Sequence, residues 1–396
     1  MELKYSQHIA TALNLSLKQI SSIYELHNEG STIPFIARYR KEATGNLDEV
    51  AIANVIDQVK YFNELEKRKE TVLKTIEEAG KMTPELKKRI DDCVNATELE
   101  DIYLPYKPKR KTKATVAIEK GLEPLAKLLV EQGNDNPEEE ASKFINEQVK
   151  DTAEALQGAR DIMAEWIAEN EQARNLVRKL FTEEAVVSSR VLTTKKEEED
   201  AQKYRDYFEF KEPLAQSPSH RILAIRRGEK EGFLIMTINI DKETAHAELK
   251  RVLLKSLTPA AKQVELAIED SYNRLLQPSI ETEFRMASKT KADEEAIRVF
   301  AENLRQLLLA SPLGHKRVMA IDPGFRTGCK VVCLDEQGTF LKYNTIFPHA
   351  PQNDWNGAVQ TIKELVAKYD IEAIGYGNGT ASKETEQLVR GIDFGK

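Results

Sequence analysis

Asp322 is the residue whose type and position most suggest catalysis. It follows the apolar run Val318–Ile321 and precedes Pro323-Gly324, an arrangement typical of the carboxyl end of a strand. A carboxylate in that position can help to hold divalent metal ions, which polarise a phosphate and activate water. A metal-dependent nuclease or resolvase that uses Asp322 is therefore one functional hypothesis.

The residues expected beside Asp322 argue against such a metal site. A fourth predicted strand, 372–376, is followed by Gly377-Asn378-Gly379-Thr380, and neighbouring strands lie about 4.8 Å apart. These residues offer an amide and a hydroxyl, whereas magnesium prefers charged oxygen ligands. We therefore predict no catalytic residue, no metal and no cofactor. Asp322 is kept only as a candidate for a catalytic residue that has lost its function. Its carboxylate is expected to accept hydrogen bonds from the turn that follows it.

A basic loop is the second feature that could do chemistry. Residues 105–113 contain no acid, and their cations are Lys107, Lys109, Arg110, Lys111 and Lys113. Cations suit contacts to a phosphate backbone, and the nearby rings of Tyr103 and Tyr106 suit stacking on bases. The sequence leaves open whether this loop binds nucleic acid or pairs with the preceding acids Glu98, Glu100 and Asp101.

A second basic patch has the same two interpretations. Arg38, Arg40 and Lys41 surround Tyr39, so they could contact phosphate groups. Glu42 follows directly, which favours structural ion pairs over nucleic-acid binding. Both basic patches are kept as candidate nucleic-acid-binding residues.

Composition excludes several classes of protein. The 396 residues carry a net charge of −7, so a nucleic-acid contact requires a local basic patch. Three cysteines argue for a reducing compartment rather than a disulfide framework. Two of them, Cys329 and Cys333, are about 13 Å apart on a predicted strand, too far for a disulfide or a shared metal. No stretch approaches the roughly 18 apolar residues of a membrane span, so we predict a cytoplasmic protein without a membrane partner.

Helical periodicity dominates the first three hundred residues. Ser16 and Gln19 form a capping box for a helix that should end before Gly30, and apolar spacing predicts a long helix over 47–79. Thr83 and Pro84 suit the start of another helix. Further helices are predicted over 122–130, 151–169 and 260–275, and a hairpin of two short strands over 221–226 and 233–238.

The last eighty residues change to an extended pattern. The predicted order is β-β-β-α-β-α, and a meander followed by a crossover places the fourth strand parallel to the first, as in an RNase H-like sheet. A helix over 354–368 should turn Trp355 and Ile362 towards this sheet. Because such a fold ends with a fifth strand and a closing helix, we expect the domain to be incomplete at Lys396.

These patterns predict a multidomain protein, mainly helical and then α/β. The length suggests two or three domains. We place a helical domain at 1–200, a helical continuation with a small hairpin at 201–315, and an RNase H-like domain at 316–396.

Four stretches together resemble the bacterial Tex family of transcription accessory proteins. They are TIPFIARYRKEATG at 32–45, TELEDIYLPYKPKR at 97–110, IDPGFRTGCK at 321–330 and GNGTASKETE at 377–386. The resemblance implies an N-terminal helical region with a helix-turn-helix-like unit and then a YqgF-type RNase H-like domain that is generally catalytically degenerate. Family members continue into helix-hairpin-helix motifs and an OB-fold RNA-binding domain, so this chain should bind nucleic acid more weakly than they do.

Three functional hypotheses follow. The leading one is a non-enzymatic scaffold that binds RNA or DNA and acts in transcription or RNA metabolism. The second is the metal-dependent nuclease or resolvase that uses Asp322. The third is a protein-interaction scaffold for RNA polymerase or the ribosome. The preferred nucleic acid, the protein partner and the oligomeric state are not determined by the sequence.

Overall fold

The computed structural model describes residues 3–108 and 110–395, with the side chains of Leu3 and Lys4 excepted. Two compact units divide the chain, residues 1–298 and residues 299–396. The domain boundaries predicted at 200 and 315 stay a prediction.

The first unit is mainly helical. Its N-terminal helices are α1 (Leu3–Leu13), α2 (Leu17–Asn28), α3 (Ile33–Tyr39), α4 (Lys41–Thr44), α5 (Glu49–Glu78), α6 (Pro84–Asp92) and α7 (Ala96–Tyr103). They are followed by α8 (Lys113–Glu119), α9 (Glu123–Val130), α10 (Pro137–Ser142), α11 (Thr152–Glu169), α12 (Glu171–Glu184), α13 (Ser219–Lys230), α14 (Lys242–Leu253) and α15 (Pro259–Ser271). A π-helical turn, Tyr272–Leu276, leads into α16 (Gln277–Leu309), which contains the point where the two units divide.

Local signals place the ends of several helices as predicted. The Ser16 hydroxyl accepts a hydrogen bond from the Gln19 backbone N–H, and the Gln19 side-chain oxygen accepts one from the Ser16 backbone N–H, which confirms the capping box of α2. Thr83 caps α6 with Pro84 in the first turn. The long helix α5 is also confirmed.

Helix α5 is the spine of the N-terminal core. Its 30 residues span about 45 Å and pack against α1, α2, α3, α6 and α7. The buried side chains of α5 recur at helical spacing, and they include Ile52, Val55, Val59, Phe62, Leu65, Val72 and Ile76. Helix α5 therefore supports both α3, beside which the second basic patch lies, and α7, which leads into the basic loop.

A second core runs from Ala114 to Ala292 and includes a small antiparallel sheet. The strands are β1 (Val186–Val191), β2 (Glu209–Pro213) and β3 (Leu234–Asn239), in the order β2-β1-β3. Helix α11 lies at the centre of the helical part of this core and packs against α8, α9, α10 and α15.

The predicted hairpin at 221–226 and 233–238 is half wrong. The second segment is strand β3, but the first lies in α13, where Ile222, Ile225 and Gly228 are buried at three-residue spacing. The apolar run at 222–225 has only four residues and fits the period of a strand or of a helix, and the buried side of α13 shows that it is helical. The partner of β3 is β1, which lies far away in the sequence.

The second unit has the predicted order of elements. It contains β4 (Val318–Asp322), β5 (Cys329–Leu334), β6 (Phe340–Ile346), α17 (Trp355–Tyr369), β7 (Ala373–Tyr376) and α18 (Ser382–Arg390). The sheet order is β6-β5-β4-β7, and β7 is parallel to β4, which confirms the meander and crossover.

The prediction for Trp355 is wrong. Its side chain is 41% exposed, whereas Ala358, Ile362 and Leu365 are buried in the core of the second unit. Trp355 is the first residue of α17, and the buried face of the helix begins one turn later.

The last turns of α16 carry several apolar side chains that are exposed. Ile297, Phe300, Leu304 and Leu307 all have large exposed side chains, and their alternating three- and four-residue spacing is typical of a helix that packs against another helix. Within residues 3–108 and 110–395, no helix is long and apolar enough to cross a bilayer.

Candidate nucleic-acid interface

Two capped helices position the basic loop. Asn95 caps α7 by accepting hydrogen bonds from the backbone N–H groups of Thr97 and Glu98. A 3-10 turn at Leu104–Tyr106 ends that helix, and Thr112 caps α8 together with Thr115. The loop is therefore a short connection between fixed ends.

The cations of this loop are exposed and mostly unneutralised. Lys107, Arg110, Lys111 and Lys113 are all exposed, while Lys109 lies outside the described residues. Lys111 Nζ is 3.6 Å from Glu119 Oε2, but both side chains are so exposed that the pair contributes little. In the described part of the chain, Lys107, Arg110 and Lys113 have no acid within ion-pair distance.

The acids that precede the loop are engaged elsewhere. Both oxygens of the Glu100 carboxylate accept hydrogen bonds from Arg68, at 2.5 and 2.9 Å. Asp101 is only 5% exposed and accepts hydrogen bonds from two arginines on α12. Among the described contacts, Glu98 forms no ion pair with the loop. The interpretation that these acids neutralise the loop is therefore wrong for the described cations.

Asp101 belongs to a buried ion-pair network that ties the two cores together. Its Oδ1 lies 2.7 Å from Arg174 Nε and 2.8 Å from Arg178 Nη2. The same arginines also bind Glu283 on α16, at 2.6 and 2.7 Å. Burial lowers the pKa of Arg178, but hydrogen bonds from its guanidinium to Asp101 and Glu283 outweigh that effect and raise it above the ordinary value. The base of the basic loop is thus anchored to α12 and α16.

The second basic patch does not form the ion pairs that its sequence favours. Arg38, Arg40 and Lys41 are exposed, and in the described residues none of them pairs with Glu42 or another acid. Arg40 instead donates a hydrogen bond to the Tyr39 carbonyl and lies 5.3 Å from the centre of the Phe35 ring. Phe35 was not identified from the sequence. Its four-residue spacing from Tyr39 would have placed the two rings on the same side of a helix.

Asp322 lies at the end of β4, as predicted. The neighbouring strand places Gly377 beside it, since the Gly377 N–H donates a 3.0 Å hydrogen bond to the Ile321 carbonyl. Asp322 is exposed, and no described residue of the following turn donates a hydrogen bond to its carboxylate. The expected capping role is therefore wrong. Gly377 brings no acidic side chain, so this donor set does not fit magnesium.

A buried polar cluster holds the turn that follows Asp322. His349 Nε2 lies 3.0 Å from Thr385 Oγ1, and Cys329 Sγ lies 3.9 Å from the same hydroxyl. The Phe325 ring packs edge-on against His349, with centroids 5.8 Å apart. Burial lowers the pKa of His349, although Glu384 partly opposes this. Sequence reasoning found no pattern among the histidines, because the partners of His349 come from the turn after β4 and from α18.

No metal cluster accompanies these residues. Within the part of the chain that the structure describes, no group of three or more histidine, cysteine, aspartate or glutamate side chains could hold a metal ion. The second unit therefore offers the shape of an RNase H-like sheet with the exposed carboxylate of Asp322 at the end of β4.

Three models of one family match this arrangement of units. The Tex-like protein N-terminal domain matches residues 3–77, the Tex central region-like model matches 132–300, and the Tex protein YqgF-like domain matches 316–393. The chain belongs to the Tex family. The resemblance drawn from the four sequence stretches is thus confirmed, as is the fold class of a helical N-terminal region followed by a YqgF-like α/β domain.

Individual relatives extend along nearly the whole chain. Protein tex of Bordetella pertussis is 40% identical over 397 residues, which cover 96% of this chain and 50% of the relative. Transcriptional accessory protein Tex of Neisseria gonorrhoeae is 37% identical over 394 residues, covering 97% and 51%. Human S1 RNA-binding domain-containing protein 1 is 30% identical over 406 residues, covering 96% and 39%. The chain spans about half the length of these bacterial relatives.

Proposed function

We propose that this chain is a nucleic-acid-binding scaffold that acts as a transcription accessory protein and that its YqgF-like domain is not catalytic. The observation that carries the proposal is the exposed basic loop, in which Lys107, Arg110 and Lys113 have no acidic partner among the described residues, in a chain with a net charge of −7. Relatives named as a transcriptional accessory protein and as an S1 RNA-binding domain-containing protein support it.

The geometry of the loop suits a phosphate backbone. Pro105 and Pro108 restrict the backbone, and helices hold both ends of the loop. Lys107, Arg110 and Lys113 should therefore lose little backbone entropy when they bind a ligand. Since Glu100 and Asp101, the acids that precede the loop, are paired with arginines, they do not neutralise Lys107, Arg110 or Lys113, and the local potential stays positive. Phosphate contacts of this kind give affinity without sequence preference.

Removing these cations should weaken binding. For the triple variant Lys107→Ala/Arg110→Ala/Lys113→Ala we expect the affinity for a single-stranded oligonucleotide to fall by about 10- to 100-fold near 0.1 M salt. The plot of log affinity against log salt should become less steep by about 2 for three lost contacts. Fluorescence anisotropy at several salt concentrations measures both quantities, and the sequence-based set Lys109, Arg110 and Lys111 can be tested in the same way.

A matched control separates the loop from the overall charge. Lys127, Lys143 and Lys262 are also exposed cations of the first unit, but each pairs with a glutamate of its own helix or of a neighbouring turn. Their triple alanine variant changes the net charge equally and should leave affinity and salt dependence nearly unchanged. Equal losses in both triple variants would show that the loop has no special role.

The non-catalytic part of the proposal rests on the shortage of ligands around Asp322. We expect no cleavage of RNA or DNA stimulated by magnesium or manganese, for the wild type and for Asp322→Asn alike. Gel assays on single-stranded, duplex and branched substrates measure this. Metal-stimulated cleavage that disappears in Asp322→Asn would establish the nuclease hypothesis instead, whereas cleavage that survives the substitution would come from another site or a contaminant.

RNA polymerase or the ribosome as a protein partner, and a cytoplasmic location, belong to the same proposal. Affinity capture with and without nuclease treatment separates a direct protein contact from one bridged by RNA or DNA. Partners that remain after the treatment would favour the protein-interaction scaffold.

A further inference from the structure

We infer that His349 is a proton-sensitive latch of the second unit, which holds the turn after β4 while its imidazole is neutral and releases that turn when the imidazole is protonated. The turn comprises residues 323–328, and we call it the β4 turn. The inference goes beyond the proposed function, because it concerns the second unit alone and does not require nucleic-acid binding.

The imidazole connects two parts of the second unit. His349 lies in the loop between β6 and α17, and its Nε2 is 3.0 Å from the hydroxyl oxygen of Thr385 on α18. On the β4 turn, the Phe325 ring packs edge-on against the imidazole, with 5.8 Å between the centroids and 65° between the planes. One side chain therefore joins the β4 turn to α18.

The surroundings of the imidazole favour its neutral form. His349 is only 6% exposed, and Thr385 and Cys329 are fully buried. The Cys329 sulfur lies 3.9 Å from the Thr385 hydroxyl and 3.8 Å from the carbonyl oxygen of Gly324, which belongs to the β4 turn. A charged imidazolium would lose its hydration here, and one hydroxyl does not replace the lost water. Protonation therefore favours a state in which the turn opens and water reaches the ring.

The charges near the imidazole do not compensate for its burial. On α18, Glu384 favours the protonated form, but burial has the larger effect and lowers the pKa of His349. Strand β5 contributes the thiol of Cys329. The charged residues at the β4 turn, Asp322 and Arg326, are exposed to solvent. Among the described residues, Glu384 is therefore the acid that opposes the effect of burial.

The direction of the pH dependence follows from this burial. Because the closed turn lowers the pKa of His349, the open form binds the proton more tightly. The latch therefore stabilises the closed turn fully above about pH 6.5, the ordinary pKa of histidine, and loses strength as the pH falls below that value. Release changes the charged surface at the end of β4, since the β4 turn carries Arg326 and follows Asp322.

Trypsin cleavage after Arg326 tests the latch. The rate at which a protease cuts a folded chain follows the population of the open form when opening is fast. For the full chain, we expect the bond between Arg326 and Thr327 to be cut about fivefold faster at pH 5.5 than at pH 7.5, as for a pKa that differs by one unit between the open and closed forms. A free peptide of residues 321–328, digested at each pH, corrects for the pH dependence of trypsin, and mass spectrometry identifies the new N-terminus.

Three variants assign the effect to His349. His349→Gln keeps a polar side chain that stays neutral, so its corrected cleavage rate should be the same at both pH values. Glu384→Gln removes the acid that favours protonation, so release should need a lower pH; because Glu384 is exposed, this variant should fold like the wild type. His315→Gln is the matched control, because His315 is an exposed histidine of the same unit, and it should retain the wild-type pH dependence.

Two results would overturn the inference. They are a corrected cleavage rate of the wild type that does not change with pH, and a pH dependence in His349→Gln equal to that of the wild type. If His349→Gln does not fold, Glu384→Gln decides, since release at the same pH as in the wild type would exclude His349 as the titrating group. None of these results depends on nucleic-acid binding, so the proposed function stands or falls separately.

Discussion

Replacing Asp101 by alanine is expected to lower the free energy of unfolding by about 3 kcal/mol, as for other buried ion pairs that lose one partner. The substitution leaves Arg174 buried and removes one acceptor from Arg178. Glu283 remains bound to both arginines, so the loss should lie at the lower end of the usual range. Chemical denaturation followed by circular dichroism measures the change.

Asp101 also connects two cores that have separate hydrophobic interiors. We therefore expect the unfolding of Asp101→Ala to become less cooperative, with the N-terminal core melting before the central core. Because Asp101 lies at the base of the basic loop, partial melting should also reduce nucleic-acid affinity.

Glu100→Ala is the matched control for this prediction. Glu100 is the neighbouring acid on the same helix and also pairs with an arginine, but its side chain is 46% exposed. Exposed pairs contribute about 0 to 1 kcal/mol, so this variant should be close to the wild type. Similar stability losses in the two variants would contradict the role assigned to the buried network.

Replacing Gly328 by alanine is expected to destabilise the second unit by about 2 to 5 kcal/mol. Gly328 has φ +74°, a left-handed conformation that is unfavourable for residues with a Cβ. A Cβ there would lie 2.5 Å from the Phe347 ring and 2.8 Å from the Thr345 methyl group, so overpacking adds to the backbone strain. Thermal unfolding monitored by calorimetry should show a lower midpoint for this unit.

Gly338→Ala separates the two contributions. Gly338 has φ +80° in the turn between β5 and β6, but a Cβ there would meet nothing within 4 Å. It should therefore show only the backbone strain, about 1 to 2 kcal/mol. If Gly328→Ala and Gly338→Ala lose the same free energy of unfolding, close packing against Phe347 and Thr345 does not contribute to the requirement for glycine at position 328.

Helices with local end signals could be predicted from the sequence. Capping by Ser16 and Thr83 and the periodic apolar residues of α5 act within one or two turns, so no distant residue is needed to interpret them. The parallel pairing of β7 with β4 also followed from the order of elements, because a meander and a crossover leave few arrangements.

The small sheet of the first unit could not be predicted in this way. Strand β3 pairs with β1 across more than forty residues, and a short apolar run such as that in α13 fits a strand or a helix until its packing is known. The exposure of Trp355 depended likewise on where the buried face of α17 begins.

The sequence alone determined which charges are available: a cluster of cations in 107–113, acids just before it, and one aspartate after the first strand of the second unit. Only the tertiary structure decided which of those charges are neutralised. Glu100 and Asp101 bind arginines that are 32, 73 and 77 residues away, and such pairings depend on how separate helices pack. Among the described residues, Lys107, Arg110 and Lys113 have no acidic partner, because the fold pairs Glu100 and Asp101 with distant arginines.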